Sequence, residues 1–72
     1  MSTDSALDRA VECAAMLNLV GERWVHHLPH DAALRGDNVV WLGGVRMQRV
    51  QTWWELRPRA GKPVVVVPEV AR

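Results

Sequence analysis

The chain predicts an α+β domain: an N-terminal amphipathic helix packed on a small antiparallel sheet of three to four strands with a C-terminal β-hairpin, or a winged-helix equivalent of that plan. Three observations carry the prediction. Apolar residues recur at helical spacing near the start, a short apolar run lies between turn residues in the middle, and four consecutive valines follow a turn-rich segment near the end. All 72 residues are expected to form a single domain. A domain of that size removes only about 60 to 65% of its unfolded surface from solvent.

The helix comes first. Ser5 followed by Asp8 has the form of a capping box, in which a hydroxyl and a carboxylate satisfy amides left unpaired by the first helical turn. Leu7, Ala10, Val11, Ala14 and Leu17 share one face, with Asp8, Arg9 and Glu12 opposite, and Gly21 is a natural terminator, giving a helix over residues 5–20. The segment Arg23-Trp24-Val25-His26-His27-Leu28 is too short to resolve by period and suits a strand or a second short helix. Residues 30–35 have the composition of a single helical turn, and Gly36-Asp37-Asn38 reads as a reverse turn. Val39-Val40-Trp41-Leu42, bounded by Gly43-Gly44, reads as a buried strand.

Residues 45–57 carry conflicting signals. As a helix they place Met47, Val50 and Trp54 on one side, whereas strand alternation is interrupted by Arg49 and Gln51 on one face and by Arg46 and Gln48 on the other. The pattern therefore favours a helix at the start of this stretch, with a strand across 52–57 as the competitor suggested by its Thr and Trp content. Residues 58–63 are a turn-rich basic loop. Val64–Val67 is the clearest strand, and Pro63 and Pro68 on either side suit an edge position because neither can donate to a ladder.

Charge is unevenly divided. Residues 1–34 carry net −3 and residues 35–72 net +4, and a basic surface favours approach to phosphates or to an acidic protein. Arg46, Gln48, Arg49, Arg57, Arg59 and Lys62 are the candidate nucleic-acid contacts, since Arg and Lys neutralise phosphates and Gln and Arg have the donor geometry to read base edges. Val50 to Arg57, the turn at Gly61-Lys62-Pro63 and the closing Val64 to Val70 are loosely similar to the small winged-helix regulators and excisionases of phages and mobile elements. That resemblance, over a minority of the chain, implies a recognition helix followed by a basic wing. Ala14 to Leu28 departs from a helix-turn-helix, presenting Gly21, Trp24 and His27 where small or aliphatic residues pack.

Trp24, Trp41, Trp53 and Trp54 are the whole aromatic complement. Trp53 and Trp54 are adjacent and cannot point the same way, so one of them is expected at the surface, where with Arg57 it has the composition of a protein–protein hot spot or a platform for an unpaired base. The bland alternative places both rings over the core with their N–H groups at its rim.

Other classes find little footing. His26, His27, His30 and the lone Cys13 lack the recurrent ligand pairs of a zinc site, so no metal and no cofactor are expected. No phosphate loop, nucleophile elbow or metalloprotease motif is present, and the chain is too short for a deep cleft of ~300 Å³ beside a core, so neither enzyme activity nor a small-molecule substrate is expected. One cysteine, no basic and apolar leader after Met1 and no apolar run of about 18 residues predict a cytoplasmic protein without membrane contact. The leading expectation is a non-enzymatic nucleic-acid-binding regulator. Its rival is a phage-type module that binds and inhibits a host protein such as a polymerase or nuclease, and a homodimer through the Val64–Val67 edge is the third expectation.

Overall fold

In the computed structural model the described residues are 5–58 and 62–69. They form helix α1 (Ser5–Val20), a 3₁₀ segment (Gly21–His27) and strands β1 (Ala33–Leu34), β2 (Val39–Leu42), β3 (Val45–Val50), β4 (Trp53–Arg57) and β5 (Val65–Val67). Every strand is antiparallel to its neighbour in the order β1-β2-β3-β4-β5, a simple meander. The α+β class, the N-terminal helix on an antiparallel sheet and the C-terminal hairpin stand as predicted, with five strands rather than three or four because the two-residue β1 adds to the edge.

α1 occupies the predicted residues, and at Gly21 a φ of +73° turns the chain out of the helix into the 3₁₀ segment. Its buried line of Ala10, Cys13, Ala14 and Leu17 lies on Val40, Leu42, Val45, Met47, Trp54 and Leu56, all at most 7% exposed. The two alanines carry no bulk beyond Cβ, so the helix approaches the sheet closely while the large side chains of the strands fill the space around it. Trp24, delivered by the 3₁₀ segment, meets Trp54 edge to face with centroids 5.0 Å apart and planes at 85°. That geometry sets the positive ring edge against the negative face.

Three expectations are corrected here. Residues 30–35 do not make a helical turn; Ala33–Leu34 pair with β2 instead. The helix favoured at the start of 45–57 does not form, because β3 and β4 pair from Arg46↔Arg57 to Val50↔Trp53 around the two-residue turn Gln51-Thr52. Chain reversal at that turn resets the alternation, which is why one continuous period failed across the stretch. Gln51 takes φ +54°, a conformation L residues disfavour and tight hairpin turns demand. The recognition helix goes with it, and β4–β5 is part of the sheet rather than a separate wing. Third, β2 is buried on one face alone: Val40 and Leu42 are inside while Trp41 is 41% exposed.

Two polar clasps fasten the layers. Asn18 on α1 donates from Nδ2 to the carbonyls of Val67 at 3.3 Å and Pro68 at 3.1 Å, and its Oδ1 accepts from Arg49 Nη1 at 2.6 Å. The Arg49 guanidinium lies 5.7 Å from the Trp54 ring centroid, within cation–π range. One asparagine thus joins α1 to β3 and to the end of β5. On the helix side, Arg9 donates through both Nη atoms to Asp31, each at 2.6 Å, tying α1 to the segment before β1.

Candidate nucleic-acid interface

The sheet has one face under α1, chiefly at β3, β4 and β5, and one face free of it. Pairing register and alternation assign each residue to a face, and they sort the free face into rows. Trp41, Arg46 and Arg57 form the first row across β2, β3 and β4; Val39, Gln48, Glu55 and Val66 form the second across β2 to β5; Val50 and Trp53 form the third. Successive rows lie roughly 7 Å apart and the two tryptophans roughly 16 Å apart, from the spacing of residues along strands and of strands in a sheet.

Each position follows from a local device. Gly43 and Gly44, with φ of +57° and +85°, close a two-residue loop in which both positions need positive φ, and that loop fixes Leu42 opposite Val45 and hence Trp41 opposite Arg46. The turn at Gln51-Thr52 does the same for β3 and β4, placing Arg46 opposite Arg57. Like charges at directly opposed positions destabilise a strand pair. Arg46 Nη1 donates to Gln48 Oε1 at 3.1 Å and Trp53 Nε1 donates to Glu55 Oε2 at 3.0 Å, so both pairs run along their own strands on the open face. No side chain of the described residues bridges Arg46 and Arg57 with a negative charge.

The sequence candidates separate accordingly. Arg46, Gln48, Arg57 and Trp53 come together on the open face. Arg49 does not join them: it points to the helix side, where Asn18 and Trp54 hold it, and it belongs to the fold. Trp54, expected with Trp53 as a contact anchor, is fully buried at 0% exposure, whereas Trp53 and Arg57 lie on the open face. Lys62 is exposed beyond β4, and Arg59 lies outside the described residues. Trp41 was missed as a surface residue because its run is apolar throughout, which hides a period of two; the Gly43-Gly44 loop, read as a hairpin, sets it beside Arg46.

The rest of the molecule offers less chemistry. Burial pushes the Cys13 thiol above its ordinary value despite the nearby Arg9, which favours the unreactive protonated form. The hydrogen bonds from Arg9 hold the Asp31 carboxyl below the usual carboxylate range, and Asp31 in turn raises the Arg9 guanidinium. Among the described residues no three His, Cys, Asp or Glu side chains gather as for a metal, and no helix is long and apolar enough to cross a membrane. In comparisons with known proteins the chain matches no family model, no curated protein and no solved structure.

Proposed function

We propose that this protein is a non-enzymatic binder of single-stranded nucleic acid and that the strand lies across the open face of the sheet. The observation that carries the reading is the cross-strand Arg46–Arg57 pair, in no ion pair among the described residues, on the same open face as two outward-facing tryptophans. A phosphate between the two guanidiniums removes their repulsion and gains charge-assisted hydrogen bonds, in a fork geometry suited to phosphate oxygens. Trp41 and Trp53 supply flat apolar surfaces for bases, and each stacked base contributes about 1–3 kcal/mol with little dependence on its identity. Duplex recognition has weaker support, since no helix carries the Gln and Arg side chains toward a major groove.

The test is fluorescence anisotropy of labelled single-stranded and duplex oligonucleotides at about 50 and 200 mM salt. Single strands are expected to bind saturably and duplex more weakly, with the log–log salt slope falling by about 0.7 for each single-strand phosphate contact removed in Arg46→Ala or Arg57→Ala. Arg57→Glu gives a sharper signature. It replaces repulsion by attraction across the strands, so the fold should gain roughly 0.2–1 kcal/mol while binding is lost. Absence of binding at low salt, or an Arg57→Glu protein that binds as well as wild type, refutes the proposal and moves the face to a protein partner anchored on Trp53 and Arg57.

A further inference from the structure

Resting on the single-strand reading above, we infer that Glu55 and Gln48 make the open face selective for guanine over thymine or uracil. Glu55 stands at the centre of a face otherwise suited to phosphates, directly opposite Gln48 and one row from the Arg46–Arg57 pair. A carboxylate there repels phosphate, so the backbone is confined to the arginine row and a base edge is left to meet the second row. Phosphate, base edge and stacking ring then follow in the order of the three rows, at the roughly 7 Å steps of a strand.

The hydrogen bonds already made decide what the second row can still offer. Trp53 takes one lone pair of Glu55 Oε2, which leaves Oε1 and the second lone pair of Oε2 as acceptors, and Arg46 binds Oε1 of Gln48, which leaves the amide Nε2 as a donor. A carboxylate is acceptor-only. The Watson–Crick edge of guanine presents adjacent N1–H and N2–H donors beside the O6 acceptor, so the donors can face Glu55 while O6 faces the Gln48 amide. Thymine and uracil present one N–H flanked by two carbonyl oxygens, and those oxygens repel the carboxylate. Single-stranded bases are read through this edge while stacked on aromatic side chains, here Trp53. The indole N–H bond to Glu55 makes the stacking ring and the reading carboxylate one unit.

The experiment compares an oligothymidine of ~12 nucleotides with the same strand carrying two central guanines, and with inosine in their place, in DNA and in the RNA counterparts, at one salt concentration. Wild type is expected to prefer the guanine strand by at least about fivefold, the lower end of what one bidentate base contact discriminates, with inosine between the two because it lacks the N2 donors. Glu55→Gln should erase the preference while binding oligothymidine more tightly than wild type, since a negative charge beside the phosphate track is gone. A general loss of fold would weaken all strands together, so rising affinity with falling selectivity is a signature that damage does not produce. Equal binding of all strands by wild type, or selectivity that survives Glu55→Gln, overturns the guanine inference and leaves the sheet-face reading standing. Failure of every strand to bind overturns both.

Discussion

The two faces of one sheet divide the work between them. On the helix side, Val40, Leu42, Val45, Met47, Trp54 and Leu56 are at most 3% exposed and the lone arginine is fully engaged by Asn18 and Trp54. On the open side, the same strands present Trp41, Trp53, Arg46, Gln48, Glu55, Arg57 and Val66, with Arg46 and Arg57 opposite in register and neither in an ion pair among the described residues. Residues adjacent in sequence, such as Trp53 and Trp54, therefore belong to different physical problems. One side stabilises the chain; the other sets two arginines opposite one another on an uncovered surface.

Charge follows the same division. α1, the 3₁₀ segment and the Asp31 segment tied to α1 carry Asp8, Glu12, Glu22 and Asp31 against Arg9 and Arg23, whereas the open face carries Arg46 and Arg57 against Glu55. The acidic and basic halves of the sequence become an acidic helix layer and a basic sheet surface. A charge division of this kind gives the two sides fields of opposite sign.

The adjacent tryptophans give the largest contrast. Trp54→Ala should cost about 3–5 kcal/mol, as expected for an aromatic removed from a packed core, and would leave a domain of this size largely unfolded. Trp53→Ala should cost less than about 1 kcal/mol, as a partly exposed residue outside the core does, and should instead weaken strand binding. Chemical denaturation of both variants checks the pair, and comparable losses of stability would dissolve the distinction between the faces.

The arginines of β3 provide a smaller but more specific contrast. Arg49→Ala leaves Asn18 Oδ1 buried without its donor and uncovers Trp54, at a cost of about 1–3 kcal/mol, while the salt slope of binding by the folded fraction stays at the wild-type value. Arg46→Ala should do the reverse, sparing the midpoint of denaturation and lowering the slope. If Arg49→Ala lowers the slope as Arg46→Ala does, the two residues are not on opposite faces in any functional sense.

The smallest effect belongs to the helix layer. Asp31 titrates below its ordinary value in the folded chain because Arg9 hydrogen-bonds its charged form. A lowered folded value gives a contribution that is present above the unfolded carboxylate pKa of about 4 and is lost as pH falls through the folded value. Both side chains are about half exposed, so the contribution is small, and the stability difference between wild type and Asp31→Asn should vanish on acidification below about pH 4. Denaturation midpoints across that range check it, and a gap that widens toward acid would reverse the sign.

Local chemistry determined much of the fold. The helix over 5–20 was legible because a 3.6-residue apolar period and the terminating Gly21 agree. The strands Val39–Leu42 and Val65–Val67 were legible because turn residues bracket short apolar runs. The adjacency of Trp53 and Trp54 also fixed that they diverge, since no regular backbone aims neighbours alike. Residues 45–57 were not legible as one unit, because helical and strand signals overlap there and only pairing with β2 and β5 satisfies the backbone groups of both strands. Tertiary structure alone decided which face each arginine joined. Arg46 and Arg49 are three residues apart and chemically identical, but α1 covers one side of the sheet, and Asn18 on that helix is present to receive only the second.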